Sequence, residues 1–285
     1  MQNTEGQAMS IVQTPPNVLT IAGSDPSGGA GLQGDIKTFS ALGTYATNVI
    51  TAVIAQNTQG VRAVHPVPAE MIAEQLDNLL GDVRIDAVKI GMVASETVAA
   101  TIRDALHRHR PRWIVLDPVM VAKSGDILVD RAGIRAVRDI LVPLADVITP
   151  NLPEAAVLLD AETPHTTEAM ATLLPELTRL GAPYVVLKGG HLSGANCPDL
   201  LATPQGVEWL EAPRIATDNL HGTGCALSSA VAAHLAHLPH TVSDHDAIHA
   251  AISDAKCWLH TALDASTRLA VGQGRGPVHH FHAWW

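Results

Sequence analysis

The sequence predicts an α/β fold, a central and mostly parallel sheet with helices on both faces, and three observations carry the prediction. Short β-branched runs alternate with amphipathic stretches almost without interruption. Aromatic residues are few, two Phe and two Tyr beside five Trp, which leaves Val, Ile, Leu and Ala to build a core of helices on a parallel sheet. At 285 residues, 47% of them hydrophobic, the chain can bury one large core.

Residues 1–17, MQNTEGQAMSIVQTPPN, are polar, carry neither a basic nor an apolar signal region, and read as a flexible leader. The runs VLTIAG (18–23), NVITAVIA (48–55), AVKIG (87–91), WIVLD (113–117), DVITP (146–150) and YVVLKGG (184–190) read as strands. Between them MIAEQLDNLL, TVAATIRDAL, IRAVRDILVPL and EAMATLLPELTRL have apolar residues at helical spacing. PDLLATPQGVEWLEAP, with turn signals at its centre, reads as an antiparallel hairpin. ALSSAVAAHLAHL and a stretch from Asp246 to Leu263 read as the last helices. No linker or repeat divides residues 18–285, so one domain is expected.

The net charge of -10 and the absence of a Lys/Arg run argue against a nucleic-acid partner. No apolar run reaches membrane-spanning length. Cys197, Cys225 and Cys257 form no CxxC pair, which suggests reduced thiols and a cytoplasmic protein. The histidines at 107 and 109 and in the tail VHHFHAWW read better as surface or packed side chains than as a metal site.

Two glycine loops carry the chemistry. GSDPSGGAGLQGD (23–35) contains GxGxxG at Gly29, Gly31 and Gly34, but its first glycine stands six positions past the end of the strand. The next strand also ends AVIAQN, without the ribose-binding acid of a dinucleotide fold. A Walker A reading fails because Asp35 stands where a lysine is required. Asp35 then suits either an uncharged hydrogen-bonding substrate or the first turn of a helix. HGTGC (221–225) is more specific: Gly222 and Gly224 let successive amides converge at a helix N-terminus, an anion hole ending on a thiol. A structural turn with an inert Cys225 is the alternative. Asn151 and Glu154 in TPNLPEA suit a water-rich Mg²⁺ site, and Lys188 in LKGG suits phosphate. Together these features point to phosphoryl transfer.

TIAGSDPSGGAGLQGDIKTFSALG, VITAVIAQNTQGV, DAVKIGM, VLDPVMVAKSGD, ITPNLPEAAVLL, LKGGHL, HGTGC and the tail GPVHHFHAWW, taken in order, resemble the hydroxymethylpyrimidine and phosphomethylpyrimidine kinases of the ribokinase-like superfamily. The resemblance implies a ribokinase-like three-layer α/β/α fold and a homodimer. It also implies Mg-ATP-dependent phosphorylation of the pyrimidine's hydroxymethyl group and then of the monophosphate, in thiamine biosynthesis. By the same resemblance Gly23, Asp35, Gln56, Met92 and Val119 line the pyrimidine pocket. Asp117, Asn151, Glu154, Lys188 and Thr223 serve ATP, with Mg²⁺ held near Glu154 and Asn151 through water. Cys225 stands at the reacting oxygen, with Gly222, Gly224 and Lys188 around it. A glutamine amide such as that of Gln56 answers the donor and acceptor of an aminopyrimidine edge at once. Residues 119–126 are expected to form a flap. The helix end and a nearby lysine are expected to lower the Cys225 thiol's pKa. A pyridoxal-type kinase and a catalytically silent pyrimidine sensor are the rival readings.

Overall fold

The computed structural model describes residues 14–120, 129–241 and 244–285. Among them the strands are β1 (Asn17–Gly23), β2 (Tyr45–Asn57), β3 (Gly60–Pro66), β4 (Ala87–Ile90), β5 (Trp113–Leu116), β6 (Val147–Ile148), β7 (Tyr184–Lys188), β8 (Asp199–Thr203) and β9 (Gly206–Leu210). They form one sheet in the order β3-β2-β1-β4-β5-β6-β7-β8-β9. The six strands from β2 to β7 run parallel, while β3 at one edge and β8 and β9 at the other are antiparallel.

Eight α-helices among the described residues cover this sheet: α1 (Gly31–Ala41), α2 (Ala69–Asp82), α3 (Glu96–His109), α4 (Arg131–Ala136), α5 (Leu152–Leu159), α6 (Thr167–Thr178), α7 (Thr223–Ala236) and α8 (His245–Asp264). Alternation along the strands divides the core in two. Leu19, Ile21, Val88 and Ile90 pack with α2 to α6, whereas Val18, Ala87 and Val115 pack with α1, α7 and α8. This is the expected three-layer arrangement. Helix α7 is made of small residues and is buried almost all round, because it lies on the sheet and also against α1 and α8.

Local signals fix several starts. Ser95 and Thr166 accept hydrogen bonds from the third residue of α3 and α6. The hairpin expected from PDLLATPQGVEWLEAP is β8 and β9. Strand β3 was not expected: GVRAVHP is exposed along its whole length and offers no alternation of burial. Residues 1–13 of the leader, and the flap from residue 121 onward, lie outside the described residues. No helix among the described residues is long and apolar enough to cross a membrane.

The winding reverses between β1 and β4, since β1 is followed to one side by β2 and to the other by β4. A crevice opens at the carboxyl edge of a parallel sheet at such a point.

Candidate active site

The carboxyl edge of the sheet supplies the expected residues in spatial order. Gln56 is near the end of β2, Gly23 ends β1, Met92 follows β4, Asp117 and Val119 follow β5, Asn151 and Glu154 follow β6, and Lys188 ends β7. Gln56, Met92 and Val119 are half-buried, while Gly23 is buried.

The β5–β7 end is charged. Lys188 Nζ donates to Asp117 Oδ1 at 3.1 Å and lies 3.9 Å from Glu154 Oε2. Burial works against the Lys188 ammonium, but Asp117 and Glu154 outweigh it and hold the pKa above the ordinary lysine range. Asn151 and Glu154 form a capping box for α5: each backbone amide donates to the other's side chain at 2.8 Å. Burial pushes the Glu154 carboxyl up to about 7, against the pull of Lys188. Near neutral pH it is poised between its two protonation states.

The HGTGC loop closes over this cluster. Gly222, at φ 76°, is the N-cap of α7, and a Cβ there would lie 1.7 Å from the Gly29 carbonyl oxygen. The two glycine loops are therefore in backbone contact. A Cβ on Gly224 would sit 3.2 Å from Lys188 Nζ and 3.6 Å from Asp117 Oδ2, so its missing side chain keeps the lysine uncovered. The Thr223 hydroxyl donates to Leu220 O at 2.7 Å. Cys225, third in α7, is partly exposed and receives the amide of Gly31, the first residue of α1. Two helix N-termini thus meet at one thiol.

Two expectations need correction. Burial pushes the Cys225 thiol up to about 11; Asp35 and Asp117 add to the rise, and Lys89 and the Gly31 amide offset it only in part. With the thiol raised to about 11, the free site holds it neutral near pH 7. Asp35 lies beyond the first turn of α1. It has no exposed surface, and its carboxylate accepts from Thr20 Oγ1 at 2.6 Å, Lys89 Nζ at 2.8 Å and Ser229 Oγ at 2.8 Å.

Residues not singled out in the sequence also shape the site. Asp25 accepts from the Ser27, Gly29 and Ala30 amides and contacts His221 Nε2 at 2.7 Å. The signal was present, as an aspartate inside the first glycine loop and a histidine opening the second, but their contact depends on the tertiary fold. Lys89, fully buried beneath the crevice, is the other omission. No group of three or more His, Cys, Asp or Glu among the described residues is placed to hold a metal, and His279 and His280 of the tail are buried.

Residues 25–279 match the family model described as phosphomethylpyrimidine kinase. A hydroxymethylpyrimidine/phosphomethylpyrimidine kinase of Salmonella typhimurium is 49% identical over 269 residues, covering 94% of this chain and 98% of that protein. A crystal structure of a phosphomethylpyrimidine kinase from Clostridium difficile is 38% identical with TM-score 0.74, covering 87% of this chain and 99% of that one. An ADP complex of Bacillus subtilis pyridoxal kinase is 33% identical with TM-score 0.85, covering 94% of this chain and 98% of that one.

Proposed function

The chain belongs to the phosphomethylpyrimidine kinase family, and from that premise we infer that it transfers the γ-phosphoryl group of ATP to 4-amino-5-hydroxymethyl-2-methylpyrimidine and then to the resulting monophosphate, in thiamine biosynthesis. One observation carries the reading: Lys188, held between Asp117 and Glu154, lies directly beneath Gly224, one residue before a thiol at the meeting point of two helix N-termini.

In this reading Gln56 pairs with the aminopyrimidine edge, and Gly23, Met92 and Val119 supply close backbone approach and apolar faces for the ring. Asp35, fixed by Thr20, Lys89 and Ser229, belongs to the same pocket. At the β5–β7 end, Lys188 with the Gly222, Thr223 and Gly224 amides neutralises the phosphates, and Asp117 orients Lys188. In the first transfer the minor fraction of Cys225 that has released its proton to solvent takes the proton of the substrate hydroxyl, whose oxygen bonds the γ-phosphorus. In the second the attacking group is an ionised phosphate oxygen of the monophosphate, which has no hydroxyl proton to give. The bond from that phosphorus to the bridging oxygen breaks, and ADP leaves. The resting neutral thiol places no negative charge beside a substrate that arrives already phosphorylated.

Asn151 and Glu154 are committed to each other as a capping box, and among the described residues no group of three or more His, Cys, Asp or Glu surrounds them, which fits a Mg²⁺ held through water and phosphate oxygens. When bound, that ion draws charge from the β- and γ-phosphates. Residues 18–285 act as one kinase domain. The free cysteines are consistent with work in the cytoplasm. The exposed β3, with Val61 and Val64 56% and 49% accessible beside Val53 of β2 at 54%, is a sheet edge suited to a second copy of the chain.

The backbone likeness to the pyridoxal kinase supports a second reading, in which pyridoxal-type substrates are also accepted. ADP release measured on both substrates decides between them. Higher kcat/KM on hydroxymethylpyrimidine is expected, and a clear preference for pyridoxal would overturn the assignment. Pyrimidine binding with no ADP release would instead favour a silent sensor.

A further inference from the structure

Strand β4 reads Ala-Val-Lys-Ile and is buried at every position. Lys89 and its partner Asp35 both have side chains 0% exposed, with Nζ and Oδ2 2.8 Å apart. Ion pairs this deep recover their desolvation cost poorly, and an apolar replacement often leaves a fold as stable. The pair therefore asks for a reason other than stability.

Its placement supplies one. Val88 and Ile90 face the α2–α6 layer, so Lys89 points to the opposite layer of α1 and α7. Thr20, its register partner on β1, and Ser229 of α7 donate to the same Asp35 carboxylate. One carboxylate thus ties β1, β4, α1 and α7, the elements around the thiol. A Cβ on Gly91 would lie 2.9 Å from Lys89 Nζ, which puts the ammonium just beneath the carboxyl edge of β4. The charged groups facing Cys225 are Lys89 from β4, Asp35 from α1, Asp117 after β5 and Lys188 from β7, together with the Gly31 amide.

We propose that Lys89, paired with Asp35, is a positioning residue for Cys225: a buried ammonium that holds the thiol at the junction of α1 and α7 and biases it toward the thiolate that receives the substrate proton. This rests on the reading that Cys225 stands at the reacting oxygen. The Lys89 charge favours the thiolate and the Asp35 charge opposes it, and Ser229, one turn after Cys225 on α7, donates to that same carboxylate. Loss of the ammonium disfavours the thiolate.

The test is the pH dependence of iodoacetamide alkylation, followed on the Cys225 peptide by mass spectrometry and so independent of any kinase activity. Lys89→Met shifts the midpoint upward by roughly one pH unit or more, while Lys89→Arg stays near the wild-type value. An unchanged midpoint in Lys89→Met, or equal shifts in both variants, overturns the proposal. A measurement on the wild-type protein stands even if neither variant folds. A buried ammonium is poorly screened, so the midpoint stays fixed between roughly 0.05 M and about 1 M salt. A midpoint that moves with salt assigns the control to surface charges and overturns it as well. Loss of activity in a Cys225 variant bears on the reaction; the alkylation midpoint bears on Lys89 alone.

Discussion

His221 Nε2 lies 2.7 Å from Asp25 Oδ2, joining the loop before α7 to the loop before α1. Burial alone would raise the Asp25 pKa, but the bonds from His221, Ser27 and the Ala30 amide hold it well below its ordinary 3.8. Its contribution to stability is therefore complete above that unfolded value and is lost as pH falls through the folded one. Asp25→Asn is expected to cost roughly 1–3 kcal/mol at neutral pH, with the gap from wild type closing in acid. Urea unfolding across that pH range checks it, and a gap that does not change with pH would count against the loop lock.

Glu154 titrates the other way. With its carboxyl raised to about 7 from 4.5, the folded protein loses stability as pH climbs between those values, because an unfolded chain ionises the group more easily. Binding of Mg-ATP favours the ionised form. The apparent affinity for Mg-ATP should therefore strengthen as pH rises through about 7, and Glu154→Gln should flatten this dependence. Calorimetric titrations with a non-hydrolysable ATP analogue read both, and equal slopes in the two proteins would remove Glu154 from the nucleotide site.

Gln56→Ala should lower kcat/KM for hydroxymethylpyrimidine by the equivalent of roughly 1–3 kcal/mol, because polar groups of the ring are left unpaired. The KM for ATP should hardly change. A variant with unaltered use of the pyrimidine takes Gln56 out of the pocket.

The exposed strand β3 gives the fourth expectation. Val61→Lys places a charge on the sheet edge and should shift the protein toward monomers in sedimentation velocity. An unshifted dimer would assign the interface elsewhere, and a monomeric wild type would remove the homodimer.

The parallel strands and the helices between them were legible because buried strands read as β-branched runs and the helices keep a helical period. Strand β3 was not, because each of its residues is exposed and nothing in GVRAVHP marks a buried face. The order of Gln56, Gly23, Met92, Asp117, Glu154 and Lys188 along one edge follows from strand ends meeting at a reversal of winding. The environment of each side chain was harder to read. Asp35 lies past the first turn of α1, held by Thr20, Lys89 and Ser229, and Cys225 is raised rather than lowered because burial outweighs Lys89. A lysine within the apolar run DAVKIGM was visible, but its partner lies 54 residues away.

Cys225→Ala tests the central claim most directly, with kcat and KM measured for both phosphorylations. The account predicts that kcat for the first phosphorylation falls by roughly 10²–10⁴ with little change in KM, the span of a lost general base, while the second, whose nucleophile is an ionised phosphate oxygen, is affected less. It also predicts that wild-type kcat/KM climbs with pH across the alkaline range, toward the thiol's value of about 11, and that the climb disappears in the variant. Near-normal kcat for the first step would contradict it and leave the reaction to Lys188, the loop amides and the metal ion.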